Sequence, residues 1–125
     1  MNRTLSRVLF VIAGLYDGLL GAVFLFFGES LFEVLKVTPP NHPGYIRFPA
    51  LILIIFGALF FQIAADPVRN RGLIWYGVAL KASYSGVVFW YQTHGGLPHF
   101  WVTFAWFDLA FLILFLLALR TPKPA

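Results

Sequence analysis

The chain has 125 residues, of which 60% are hydrophobic and 11% charged, with a formal charge of +4 and no cysteine. A soluble domain carries about 45–50% apolar and about 25% charged residues, so this balance belongs to lipid rather than water. The missing thiols exclude disulfide relays, iron–sulfur clusters, Cys-ligated zinc and a cysteine nucleophile. The basic residues flank apolar runs and form no stripe interleaved with stacking aromatics, which excludes a nucleic-acid partner.

Four apolar runs of 18 to 20 residues follow one another: Val8–Phe27, Phe48–Ala65, Leu73–Tyr91 and Phe100–Leu119. A helix rises about 1.5 Å per residue, so each run matches a hydrocarbon core about 30 Å thick. Helices satisfy every backbone group within lipid, which an open sheet does not. The expected fold class is all-α: one domain over residues 1–125, an integral membrane bundle of four transmembrane helices. The first run differs from a cleaved leader in its length and in Asp17 at its middle, and is read as a retained helix.

The first loop adds an expectation of its own. Ser30 and Glu33 have capping-box spacing, and Leu31, Phe32, Val34 and Leu35 follow as an apolar stripe. They predict a short interfacial helix over 29–37 in the first outer loop, with Leu31, Phe32 and Leu35 turned to the membrane. Thr38 to Gly44, with three prolines, would stop it, and Pro49 would open the second span where proline is well tolerated. Asp66-Pro67 would end that span.

Arg3, Arg7, Arg69, Arg71, Arg120 and Lys123 place six basic residues on one side of such a bundle, against Lys36 and Arg47 on the other. The positive-inside rule then puts both termini in the cytoplasm and the chain in the inner (plasma) membrane as a multi-pass protein. Trp75 and Tyr76 fall at the inner boundary, and Tyr45, Trp90, Tyr91 and Trp101 at the outer one.

Three ionisable residues interrupt the spans at a common depth. From the span centres and the helical rise, Asp17, Lys81 and Asp108 all lie within about 3 Å of the bilayer midplane. A lone charge there costs about 2.5–3.5 kcal/mol on insertion scales, so the three are expected to face one another, Lys81 between two carboxylates. If all ionise, the cluster sums to −1, which invites a shared proton. Gly14, Gly18 and Gly21 share a helix face with Asp17, and Gly77, Tyr84 and Ser85 share one with Lys81. Tyr16, Tyr84, Ser85 and Trp106 complete a candidate ligand or proton site around Asp17, Lys81 and Asp108. No catalytic residue is assigned.

His42, His94 and His99 fall in the outer loops near Glu29 and Glu33 but match no metal-ligand spacing, so no metal centre is assigned. No histidine lies within a span to ligate haem, and no nucleotide loop, Gly-x-Ser-x-Gly elbow or His-Glu-x-x-His occurs. No cofactor is expected.

Gly14-Leu-Tyr-Asp17-Gly18, the Gly–Pro punctuation before the second span and Phe104-Ala-Trp-Phe-Asp108-Leu together resemble the small four-helix bacterial membrane proteins of the DoxX type. That resemblance implies the same four-helix architecture over the whole chain, with quinone-linked oxidation or an accessory role in a membrane complex. It transfers no functional residue to a matching position.

Three functions stay open. First ranked is an accessory or structural membrane protein whose cluster holds the helices together. Close behind is a protein that binds a small or amphipathic ligand, or passes protons or ions, through the cluster. Third is a quinone- or lipid-linked membrane enzyme. The lipid bilayer is the expected partner, with room for a homo-oligomer or a larger complex.

Overall fold

The computed structural model describes residues 1–123, which fold into four helices: α1 (Arg3–Val34), α2 (Gly44–Ala65), α3 (Arg71–Thr93) and α4 (His99–Ala118). Each apolar run falls essentially within one helix. α1, α2 and α4 are long and apolar enough to cross a membrane. α3 has 23 residues, and Lys81, Ser83, Tyr84 and Ser85 lower the hydropathy of its middle. The outer faces of all four carry large exposed apolar side chains, among them Leu19, Phe26, Ile55, Val87 and Leu117. So extensive an apolar surface suits lipid and not water.

The helices form two antiparallel hairpins, α1 with α2 and α3 with α4, laid side by side. Small residues bring α1 and α2 together. A Cβ added at Gly21 would stand 2.6 Å from the Ala50 carbonyl oxygen, and one at Gly57 would stand 3.0 Å from the backbone of Gly14 and Gly18. Without side chains at these points the two backbones meet directly, which supplies the van der Waals contact that drives association in lipid. The hairpins join at the end nearest the α2–α3 loop. There Phe10, Phe60 and Phe115 are fully buried with ring centroids 4.7–6.1 Å apart, flanked by Ile63 and Ile74. At the same end the Ser6 and Thr121 hydroxyls share a buried hydrogen bond, and the Arg71 guanidinium donates to the Thr121 carbonyl.

The expected separate helix in the first loop is absent, because α1 runs unbroken through Glu29–Val34. Its buried face simply continues: Gly21, Phe24, Gly28 and Phe32 recur every three or four residues, and Ile46 of α2 packs over Gly28. Phe32 is accordingly buried against the Trp101 ring instead of facing the membrane. Ser30, read as a cap, is an interior helical residue.

The helix ends one turn later in a Schellman motif. Lys36 takes φ 57°, its N–H donates to the Glu33 carbonyl, and the Val37 N–H donates to the Phe32 carbonyl. Val37 then packs beside Phe32 and turns the loop back over the bundle. Pro49 also lies elsewhere than expected. α2 starts at Gly44, so Pro49 is inside the helix and removes the amide that would bond to the Tyr45 carbonyl. The helix begins early because Ile46 in its first turn is buried against α1.

Gly21→Val should lower the stability of the bundle in a detergent-unfolding titration by about 1–3 kcal/mol, the usual cost of overpacking. Gly86, where an added Cβ meets nothing within 4 Å, supplies the control. Gly86→Ala should be neutral or stabilising, and equal losses at the two positions would contradict the close α1–α2 approach.

Candidate functional site

Lys81 is the junction of the two hairpins. Its Nζ donates to Asp17 Oδ1 of α1 at 2.7 Å and to Asp108 Oδ1 of α4 at 3.0 Å. All three side chains are buried, Lys81 and Asp17 completely. The ammonium also lies 5.0–5.1 Å from the ring centroids of Phe111 and Tyr16 and 5.7 Å from that of Phe60. Two carboxylates and three aromatic faces therefore stand in for the water a lysine would otherwise hold. Helical spacing puts the three side chains at one level of the bundle, and antiparallel packing turns them inward.

The two hairpins, joined by Lys81 and by the phenylalanine plug below it, flank an open-sided cavity of about 880 Å³ on the side of the cluster away from that plug. Its floor includes Asp17 and Asp108, while Lys81 is not among its lining residues. The α1 wall runs Asp17, Leu20, Phe24, and the α4 wall runs Asp108, Phe104, Trp101. Tyr45, Phe48 and Ile52 of α2 and Leu80 and Tyr84 of α3 supply the sides. Val37, Thr38 and Pro40, turned back by the Schellman motif, form part of the roof.

Two polar atoms beside this space are buried with no hydrogen-bond partner: Asp17 Oδ2 and the Tyr16 hydroxyl. Tyr84 differs, since its hydroxyl donates to the Trp101 carbonyl and so retains only acceptor capacity. The arrangement offers an open-sided apolar cavity with Asp17, Asp108 and Tyr16 at one end.

Of the residues expected in the site, Asp17, Lys81 and Asp108 meet directly, and Tyr16 and Tyr84 flank them. Ser85 is buried but spends its hydroxyl on the Lys81 carbonyl within α3. Trp106 lies outside the site: it is 60% exposed and packs against Phe89 on the outer face. Two residues along a helix is a turn of about 200°, so Trp106 points away from the side that Asp108 occupies. Phe24, Phe32, Trp101 and Phe104 are lining residues that sequence reasoning missed. A signal for three of them was present, since Phe24, Phe104 and Trp101 repeat the faces of Asp17 and Asp108 at spacings of four and seven.

The three histidines do not converge, and His99 opens α4 where a loop position was expected. His42 Nδ1 accepts from the Gly44 amide, and the His94 ring stacks on Trp90 at 3.9 Å. No group of three or more potential metal-ligating side chains occurs among the described residues.

Because the cation has two partners, the charge pattern of the variants should order their stability. Asp17→Asn and Asp108→Asn each leave one neutral ion pair and should be mild. Lys81→Met, and the double change Asp17→Asn with Asp108→Asn, leave uncompensated buried charge and should lose up to the 3–5 kcal/mol (roughly) seen when buried pairs are broken. Adding Asp17→Asn to Lys81→Met should recover part of that loss. Detergent-unfolding titrations of the five variants would check the order, and a fully stable Lys81→Met would contradict the pairing.

Comparison of the chain with protein-family models, with curated proteins and with solved structures gives no match.

Proposed function

We propose that this chain is a four-span membrane protein that holds a small amphipathic molecule in the cavity, with its polar end at Asp17 and Asp108. The observation that carries this reading is the coincidence of a large apolar chamber with unpaired polar atoms at its floor. A cluster serving only to hold helices together would saturate its own donors and acceptors, since each orphaned buried group costs about 1–3 kcal/mol. Here Asp17 Oδ2 and the Tyr16 hydroxyl are both buried beside the cavity without a partner. The chamber also lies within the 300–1,000 Å³ or so typical of small-molecule sites. The purely accessory role ranked first from the sequence requires no such space.

That α3 is the fourth span is supported by the depth of Lys81. An ammonium that bonds carboxylates in the middle of α1 and α4 shares their level in the bilayer. Trp75, Tyr76, Val87, Trp90 and Tyr91 of α3 are exposed, as lipid-facing and boundary residues would be. The basic residues support cytoplasmic termini in an inner membrane: Arg3 approaches Asp66, and Arg7 donates to the Ala65 carbonyl, both at the end that also holds Arg69, Arg71 and Arg120. Reporter fusions after Gly44 and Gly95 should read outside and one after Asn70 inside. A periplasmic reading at Asn70 would reverse the orientation.

The ligand reading is tested by gentle extraction of the full chain and native mass spectrometry. The expected result is a small-molecule adduct on the wild type that is lost from Leu20→Trp, which adds bulk to the α1 wall. Helicity measured by circular dichroism should be unchanged. No adduct on the wild type, or an adduct retained by Leu20→Trp, would overturn the assignment to this cavity.

A further inference from the structure

The polarity of the floor narrows the ligand class, on the reading that the cavity binds a ligand at all. None of its lining residues is Lys, Arg or His, whereas Asp17 and Asp108 both belong to it. Lys81 stands behind them, its Nζ directed to the Oδ1 atom of each. Two carboxylates against one ammonium leave the ionised cluster one negative charge in excess, and the cavity meets that excess from its negative side. Asp17 Oδ2 is wholly buried and unpaired, and Asp108 keeps 9% of its side chain exposed. The walls next to them are aromatic, with Tyr16, Tyr84, Phe104 and Trp101 within the chamber. Aromatic faces and carboxylates both attract a cation, and the attraction grows as water is excluded. An anion entering the same space would face two carboxylates with no lining cation to offset them.

We propose that the cavity selects lipophilic monocations: molecules with an apolar body and a single ammonium- or phosphonium-type charge that neutralises the Asp17–Lys81–Asp108 floor. The aromatic walls flank the body, and the floor carboxylates, Asp108 partly exposed and Asp17 buried beside it, supply the opposing charge. Selectivity comes from the sign of the charge, since the apolar walls accept bodies of either kind. A diffuse, weakly hydrated cation suits the site best because it surrenders little hydration on entering a cavity with so few polar groups.

The test uses ions of nearly the same shape and opposite charge. Tetraphenylphosphonium, tetraphenylborate and neutral triphenylphosphine oxide are each equilibrated with the full chain in lipid nanodiscs, and binding to empty nanodiscs is subtracted. The expected result is saturable tetraphenylphosphonium binding at least tenfold tighter than that of tetraphenylborate. Asp17→Asn, which removes the excess charge but leaves Lys81 paired with Asp108, should weaken the cation at least tenfold. The same variant should leave triphenylphosphine oxide within about twofold, which also reports that the cavity is intact. Asp108→Asn serves as the second variant if Asp17→Asn does not fold, and the wild-type comparison of the two ions stands without either.

Saturable binding of triphenylphosphine oxide with no preference for the cation would overturn the charge selectivity and leave the ligand cavity standing. Cation binding unchanged in both aspartate variants would also overturn it, because the walls alone would then account for the affinity. Failure of all three probes to bind above empty nanodiscs would overturn both readings.

Discussion

Three charged side chains on three different helices have to be reconciled with a solvent that cannot hydrate them. The pairing of Lys81 with Asp17 and Asp108 resolves this, and much of the architecture follows from it. α1, α3 and α4 are held at one level and one rotation, because turning any of them would carry an ionised group out of the pairing and onto the apolar outer surface. α2 contributes no charge to the cluster. It is positioned by backbone contact with α1 at Gly14, Gly21 and Gly57, and by Phe60 beneath Lys81. The bundle is thus specified by two different forces, electrostatics for three helices and close steric packing for the fourth.

This division explains why one half of the molecule is solid and the other hollow. Below the cluster, Phe10, Phe60, Phe115, Ile63 and Ile74 fill the space between the hairpins completely. Above it, α1 and α2 stay in contact through Gly21, Ala50 and Gly28, so α2 leans with α1 and not toward α4. The space left between the hairpins is edged with rings that are too few to close it. Such a void would be wasteful in a core selected for stability alone, since close packing is the ordinary state of protein interiors.

The chamber and the cluster also act on one another. Lys81 draws in one oxygen from each carboxylate, and the Asp17 oxygen that remains is buried beside the cavity without a partner. The loop returned by Lys36 and Val37 covers the opposite end, so one helix-ending motif in α1 helps to shape the site.

The sequence by itself determined the all-helical character, the four elements and the common level of Asp17, Lys81 and Asp108 along the bundle. These depend on local quantities: run length, the rise of a helix, and the cost of a charge in lipid. It also held the outward turn of Trp106, two residues from Asp108, and the inward line from Asp108 to Phe104 and Trp101, because helical angle is local as well. Tertiary structure alone decided that α1 continues through Glu29–Val34, that Pro49 sits inside α2 and that Phe32 faces the core. Each of these depends on a neighbour, Ile46 over Gly28 or Trp101 against Phe32, which lies far away along the chain. The cavity belongs to the same class. Its size is set by how far two hairpins diverge above a plug, and that divergence is a balance among contacts from four helices that no single segment encodes.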